Sequence, residues 1–132
     1  MARPEAPARP VYLNPFKVHL PVTATVSLAH RVSGVLLLAA LPVVLEALQA
    51  SLAGEAGWQR VAAALGGVPG RLALLVLTWA LAHHLAAGVR HLLFDAGIGT
   101  RYAQARRSAW AVHAVALGLT GLAAAVSLAR LA

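Results

Sequence analysis

The stretch Leu72–Phe94, LALLVLTWALAHHLAAGVRHLLF, decides the fold. It is long enough to cross a bilayer, which takes about 20 predominantly apolar residues. Its last half nevertheless carries His83, His84, Arg90 and His91. Ionisable side chains within a membrane span are expensive, and a site is the default explanation for them. On a helix, His84, Gly88, His91 and Asp95 are spaced four, three and four apart and share one face. His84 and His91 then stand roughly 10 Å apart along the axis, too far for both to hold one metal ion. That separation suits a large planar ligand, held by one imidazole and reached at its edge by the other, and Gly88 removes the side chain between them.

Two further apolar runs flank this one. The expected spans are about 27–52, 72–94 and 108–131, joined by loops over Gly54–Gly70 and Asp95–Arg107. Thr23 or Thr25 is a candidate cap for the first helix, Pro42 a candidate kink, and Trp58 an interfacial anchor. Gly97 and Gly99 are expected to stop the second. Residues 1–22, with five prolines, form a tail, and 23–132 form the membrane domain. The fold class is therefore an all-α membrane protein of three transmembrane helices.

Composition supports this. The 132 residues are 60% hydrophobic and 11% charged, against about 25% charged in soluble domains. The net charge of +7 is scattered over tails and loops instead of forming a basic stripe with aromatics, so no nucleic-acid partner is expected. The absence of cysteine excludes disulfides, thiolate-held clusters and a thiol nucleophile. No apolar stretch precedes a cleavage site near the N-terminus, so no secretory signal is expected. Arg3, Arg9, Lys17 and Arg31 precede the lipid-facing stretch of the first span, which begins at Val32, and Arg101, Arg106 and Arg107 separate the second from the third; Arg60, Arg71 and Arg130 lie opposite. This bias puts the N-terminus in the cytoplasm and the C-terminus outside.

The same topology puts Ser27, His30 and Arg31, which share a face of the first helix, at the depth of the second-span cluster. A hydroxyl and a guanidinium there suit a carbonyl or carboxylate ligand. Plainer roles exist for each residue. His84 and His91 can serve as interhelical hydrogen-bond donors. Arg31 and Arg90 can snorkel to headgroups, the favoured role for Arg90. His83 reads as packing, and His19 and His113 have no visible partner.

Two segments resemble a known family. RPVYLNPFKVHLPVTATVSLAHRVSG (9–34) is similar to the RP-x-x-L…S-x-x-HR-x-[ST]G signature of the cytochrome b membrane-anchor subunit of succinate dehydrogenase, complex II. HHLAAGVRHLLFDAG (83–97) resembles its H-x-x-x-G-x-RH-x-x-x-D-x-G signature. The resemblance implies a bundle shared with a second small anchor subunit. It also implies a heme b with His84 as axial ligand, the companion subunit supplying the other histidine. It puts His30, Arg31 and His91 near the heme propionates, Ser27 and Arg31 at a ubiquinone or menaquinone site, and Asp95 in support of that site. The implied function is passage of electrons from succinate, through flavoprotein and iron–sulfur subunits, to quinone in a bacterial inner membrane. The alternative is a heme-free quinone-binding anchor of a related fumarate reductase or other quinone oxidoreductase. A small assembly or transport protein is disfavoured, because no repeated or broken spans appear.

Overall fold

A computed structural model describes residues 19–129, and calls for no strand among them. Four helices follow in order: α1 (Val22–Leu52), α2 (Glu55–Gly66), α3 (Val68–Asp95) and α4 (Tyr102–Ala129). The chain is a multi-pass membrane protein in which α1, α3 and α4 are each long and apolar enough to cross. With 31 residues α1 is about 46 Å long, and with 28 residues each α3 and α4 are about 42 Å. All three exceed the roughly 30 Å hydrocarbon core, so their ends reach into the headgroup layers. The expected tail lies almost wholly outside the described residues, as does Arg130.

Large apolar side chains point outward along the helices: Val35, Leu38, Leu52 and Leu85 are all exposed. In water this surface would be prohibitive; in lipid it is the matched solvent. The interior is instead built of small residues. Val26, Ala87, Ala109 and Val112 form the packed centre, with Val22 and Ala86 against it. Small side chains let helix backbones approach closely where no hydrophobic drive exists between them. The central element is α3, which packs along both α1 and α4.

Several local expectations change. The Gly54–Gly70 segment is largely the helix α2, not a loop. Its glycines mark the ends: Gly54 is the N-cap at φ 124° and Gly67 the C-cap. Between them, EAGWQRVAAALG is alanine-rich, with Glu55 in the first turn accepting a hydrogen bond from Gln59 at 2.9 Å. Gly57 is buried against the Ala50 carbonyl, where any side chain would collide with α1. At 12 residues α2 is about 18 Å long, too short to span.

Neither Thr23 nor Thr25 caps α1. The N-cap is Pro21, and Thr25 bonds back to the Val22 carbonyl at 2.8 Å. The helix runs through Pro42 without a break. At the end of α3, Gly97 adopts φ 77°; Ile98 N–H reaches the Leu93 carbonyl and Gly97 N–H the Phe94 carbonyl. This paired-bond C-terminal cap needs a left-handed residue at that position, which explains why the helix stops there.

Candidate functional site

Depth comes first. His84 lies 11 residues before the end of α3, about 16 Å along the axis, and His30 lies 8 residues into α1, about 12 Å. Both therefore sit well inside the bilayer, and antiparallel packing of α1 on α3 brings them together. Their imidazoles stack with centroids 4.2 Å apart and planes 14° from parallel. The His91 ring lies 5.1 Å from His30 on the other side. His30 thus fills the gap between His84 and His91, over Gly88, whose missing Cβ would be 3.7 Å from His30 Nε2.

The orientation of His84 follows from its hydrogen bonds. Its Nδ1 is 3.2 Å from the backbone carbonyl of His30, which can only accept. In the tautomer that makes this hydrogen bond Nδ1 carries the proton, and a lone pair is left on Nε2. Ser33, fully buried, donates its hydroxyl to the same carbonyl at 2.9 Å and lies 3.4 Å from His84 Nδ1. Metal-bound histidines are oriented in this way, by a carbonyl on the nitrogen that does not bind. Stacking on His30 restrains the ring through its face and leaves the in-plane Nε2 lone pair clear.

Gly34, one residue on, lets the His84 ring lie against α1. A Cβ there would be 3.0 Å from His84 Cε1. Close approach is therefore made at Gly34, whereas Gly88, expected to be the tight position, makes only an ordinary contact. Neither Ser33 nor Gly34 was among the expected site residues. The spacing of Ser33, three after His30, was the available signal.

Ser27 is half-buried on α1, one turn before the exposed Arg31. Asp95 is exposed at the last residue of α3. The structure brings His30, His84 and His91 into contact, and leaves Ser27, Arg31 and Asp95 around the end of the same helix pair.

Of three other expectations, those for His113 and Arg90 are corrected and that of His83 as a packing residue holds. His113 does have a partner: its Nε2 is 3.2 Å from Thr25 Oγ1, tying α4 to α1. His83 lies 5.3 Å from the His113 ring and 5.5 Å from the Trp79 ring, fully buried with both nitrogens lacking a hydrogen bond. Arg90 does not snorkel. It is 6% exposed, donating from Nε to Ser108 Oγ at 3.0 Å and from Nη2 to the Ala105 carbonyl at 3.2 Å. Its guanidinium also lies 4.2 Å from the Phe94 ring centroid.

Comparison with known proteins gives these side chains a family. Residues 5–123 match the family described as succinate dehydrogenase/fumarate reductase transmembrane subunit. The chain belongs to this family. It is similar to the succinate dehydrogenase cytochrome b556 subunit of Coxiella burnetii, 33% identical over 110 residues that cover 81% of this chain and 86% of the relative. It is also similar to the subunit of that name from Paracoccus denitrificans, 35% identical over 115 residues covering 85% and 82%.

Within this family of transmembrane subunits, the geometry bears on which cofactor the residues fit. Among the described residues no three His, Cys, Asp or Glu side chains converge on a point suited to a metal ion. What α3 offers is a single oriented imidazole within its membrane span. This fits a group that needs one axial nitrogen from the chain, as a b-type heme does; it does not fit a multidentate metal centre.

Proposed function

We propose that this family member is the membrane-anchoring, heme b- and quinone-binding subunit of succinate dehydrogenase. The observation that carries this is the 3.2 Å contact of His84 Nδ1 with the His30 carbonyl, which in the Nδ1–H tautomer leaves Nε2 as a donor to a metal. Heme b, when bound, supplies a one-electron carrier at that nitrogen. His84 would hold it from this chain, and a companion anchor subunit would supply the second imidazole. His30, Arg31 and His91 lie toward the basic end of the bundle, where they would hold the propionates.

Quinone binds where Ser27 and Arg31 meet the iron–sulfur subunit. The Ser27 hydroxyl donates a hydrogen bond to a quinone carbonyl oxygen. The Arg31 guanidinium offsets negative charge that grows on that oxygen as electrons arrive, an electrostatic role that strengthens away from bulk water. Asp95 supports this site from the end of α3. The chain makes and breaks no covalent bonds; it holds the acceptor in place and tunes the field around it. The tail (1–22) and the turn after α3 with the first residues of α4 (96–107) face the cytoplasm with the flavoprotein and iron–sulfur partners, and α4 ends outside a bacterial inner membrane. The membrane domain spans 23–132.

A reduced-minus-oxidised visible spectrum of the intact complex tests the assignment. Sharp b-type bands that vanish in His84→Leu are expected. Unchanged bands in that variant refute the ligand assignment. No bands in the wild type, with succinate–quinone turnover retained, establish a heme-free anchor instead.

A further inference from the structure

Along the face where α3 meets α4 runs an open groove of about 490 Å³ that the proposed heme and quinone sites do not use. Its walls are apolar: Leu85, Val89 and Leu93 on α3, with Val115 and Leu119 on α4. Its polar lining is confined to one end, where Arg90 and Ser108 stand. From Ser108 to Leu119 the groove extends about 16 Å along α4. That equals the depth of one leaflet, half of a roughly 30 Å hydrocarbon core.

Arg90 is the informative residue. It is more than nine-tenths buried, and its two protein acceptors are a neutral hydroxyl and a backbone carbonyl, with no carboxylate between them. A buried guanidinium without a counter-charge is costly. Its Nη1 makes no hydrogen bond to a described residue, and Arg90 lines the groove. Exposed Arg101, Arg106 and Arg107 surround the same end of the bundle.

We propose that this groove is a binding site for one anionic phospholipid, its acyl chain lying between α3 and α4 and its phosphate against Arg90. A phosphate oxygen accepts from Nη1, with the three exposed arginines adding long-range attraction; basic pockets between transmembrane helices recognise anionic headgroups in this manner. The lipid completes a charge pair that the described residues leave open. An apolar helix from a partner subunit would fill the walls and leave Nη1 unpaired, which is why lipid is the favoured occupant.

The test uses the intact complex in phosphatidylcholine vesicles carrying a trace of diazirine-bearing phosphatidylglycerol, or the same diazirine chain on phosphatidylcholine. Photolabelled residues are then mapped by mass spectrometry. The phosphatidylglycerol probe is expected to label groove residues about tenfold more than the phosphatidylcholine probe, the scale of one charge-assisted hydrogen bond. Arg90→Gln should level the two. Because Arg90 also holds α4, a second variant is needed: Ala111→Phe fills the groove, leaves the Arg90 contacts intact, and should suppress labelling by both probes. Equal labelling by the two probes in the wild type overturns the proposal. So does an unlabelled groove beside a labelled outer face of α1, which would mean that a partner subunit covers it.

Discussion

Replacing Gly34 by alanine should loosen the hold on heme while hardly altering the stability of the helix. A Cβ at Gly34 would stand 3.0 Å from His84 Cε1 and 3.4 Å from Nδ1. Carbon atoms in contact prefer about 3.5–4.0 Å, so the ring must retreat from α1 by about 0.5 Å. The His84 Nδ1 bond to the His30 carbonyl, on that same helix, is already 3.2 Å long. The retreat takes it to about 3.7 Å, beyond hydrogen-bonding range. Losing that bond costs about 1 kcal/mol, while alanine in place of glycine within a helix returns about the same. The two nearly cancel in a melting experiment. They do not cancel at the metal, where loss of an orienting partner typically weakens binding by about 10–100-fold. The assay is therefore the rate of heme loss from the purified complex to excess apomyoglobin, alongside the reduced α band. Gly118→Ala, where nothing lies within 4 Å of the added methyl, is the control and should match wild type. Heme loss and band position in Gly34→Ala indistinguishable from that control would refute the reasoning.

Other outcomes follow from named contacts. Ser27→Ala and Arg31→Ala should each raise the quinone KM or lower kcat/KM about tenfold or more, with Arg31→Lys recovering only part, because a lysine keeps the charge and loses the planar fork; steady-state succinate–quinone kinetics decide it. His83→Leu removes two buried, unpartnered nitrogens at similar volume, so the complex should melt at the same or a higher temperature, whereas His113→Leu, which breaks the 3.2 Å contact with Thr25, should melt lower. Arg71→Ala should loosen the opposite end of the bundle by about 1–3 kcal/mol, since Arg71 donates to the Gly66 carbonyl at 2.6 Å and the Ser127 carbonyl at 3.1 Å; faster hydrogen exchange in α2 and the end of α4 would show it.

The long apolar runs were legible because membrane helices answer to a simple constraint: every backbone group must be satisfied within the segment, so length and apolarity suffice. The turn after α3 was legible too, since Gly97 is the kind of residue that a left-handed cap requires. The helix α2 was not. Five glycines and a proline between 54 and 70 read as loop, yet the glycines sit at its ends and at its contact with α1, leaving a run of good helix formers between. Arg90 misled for a different reason. A long cation near a span end has two outlets, the headgroup layer or a neighbouring helix, and only the position of Ser108 and the Ala105 carbonyl decides between them.

By itself the sequence determined the three apolar helices and, through helical periodicity, that His84, Gly88, His91 and Asp95 share a face. It also brought Ser27, His30 and Arg31 to a similar depth, because antiparallel neighbours of matched length must align. Periodicity says nothing about rotation of one helix against another. Only the tertiary structure decided that His30 stacks on His84, that its backbone carbonyl selects the His84 tautomer, and that Thr25 meets His113 across 88 residues of chain. Those contacts depend on which small residues let α1, α3 and α4 close to within van der Waals distance, a property of paired surfaces that no single helix carries.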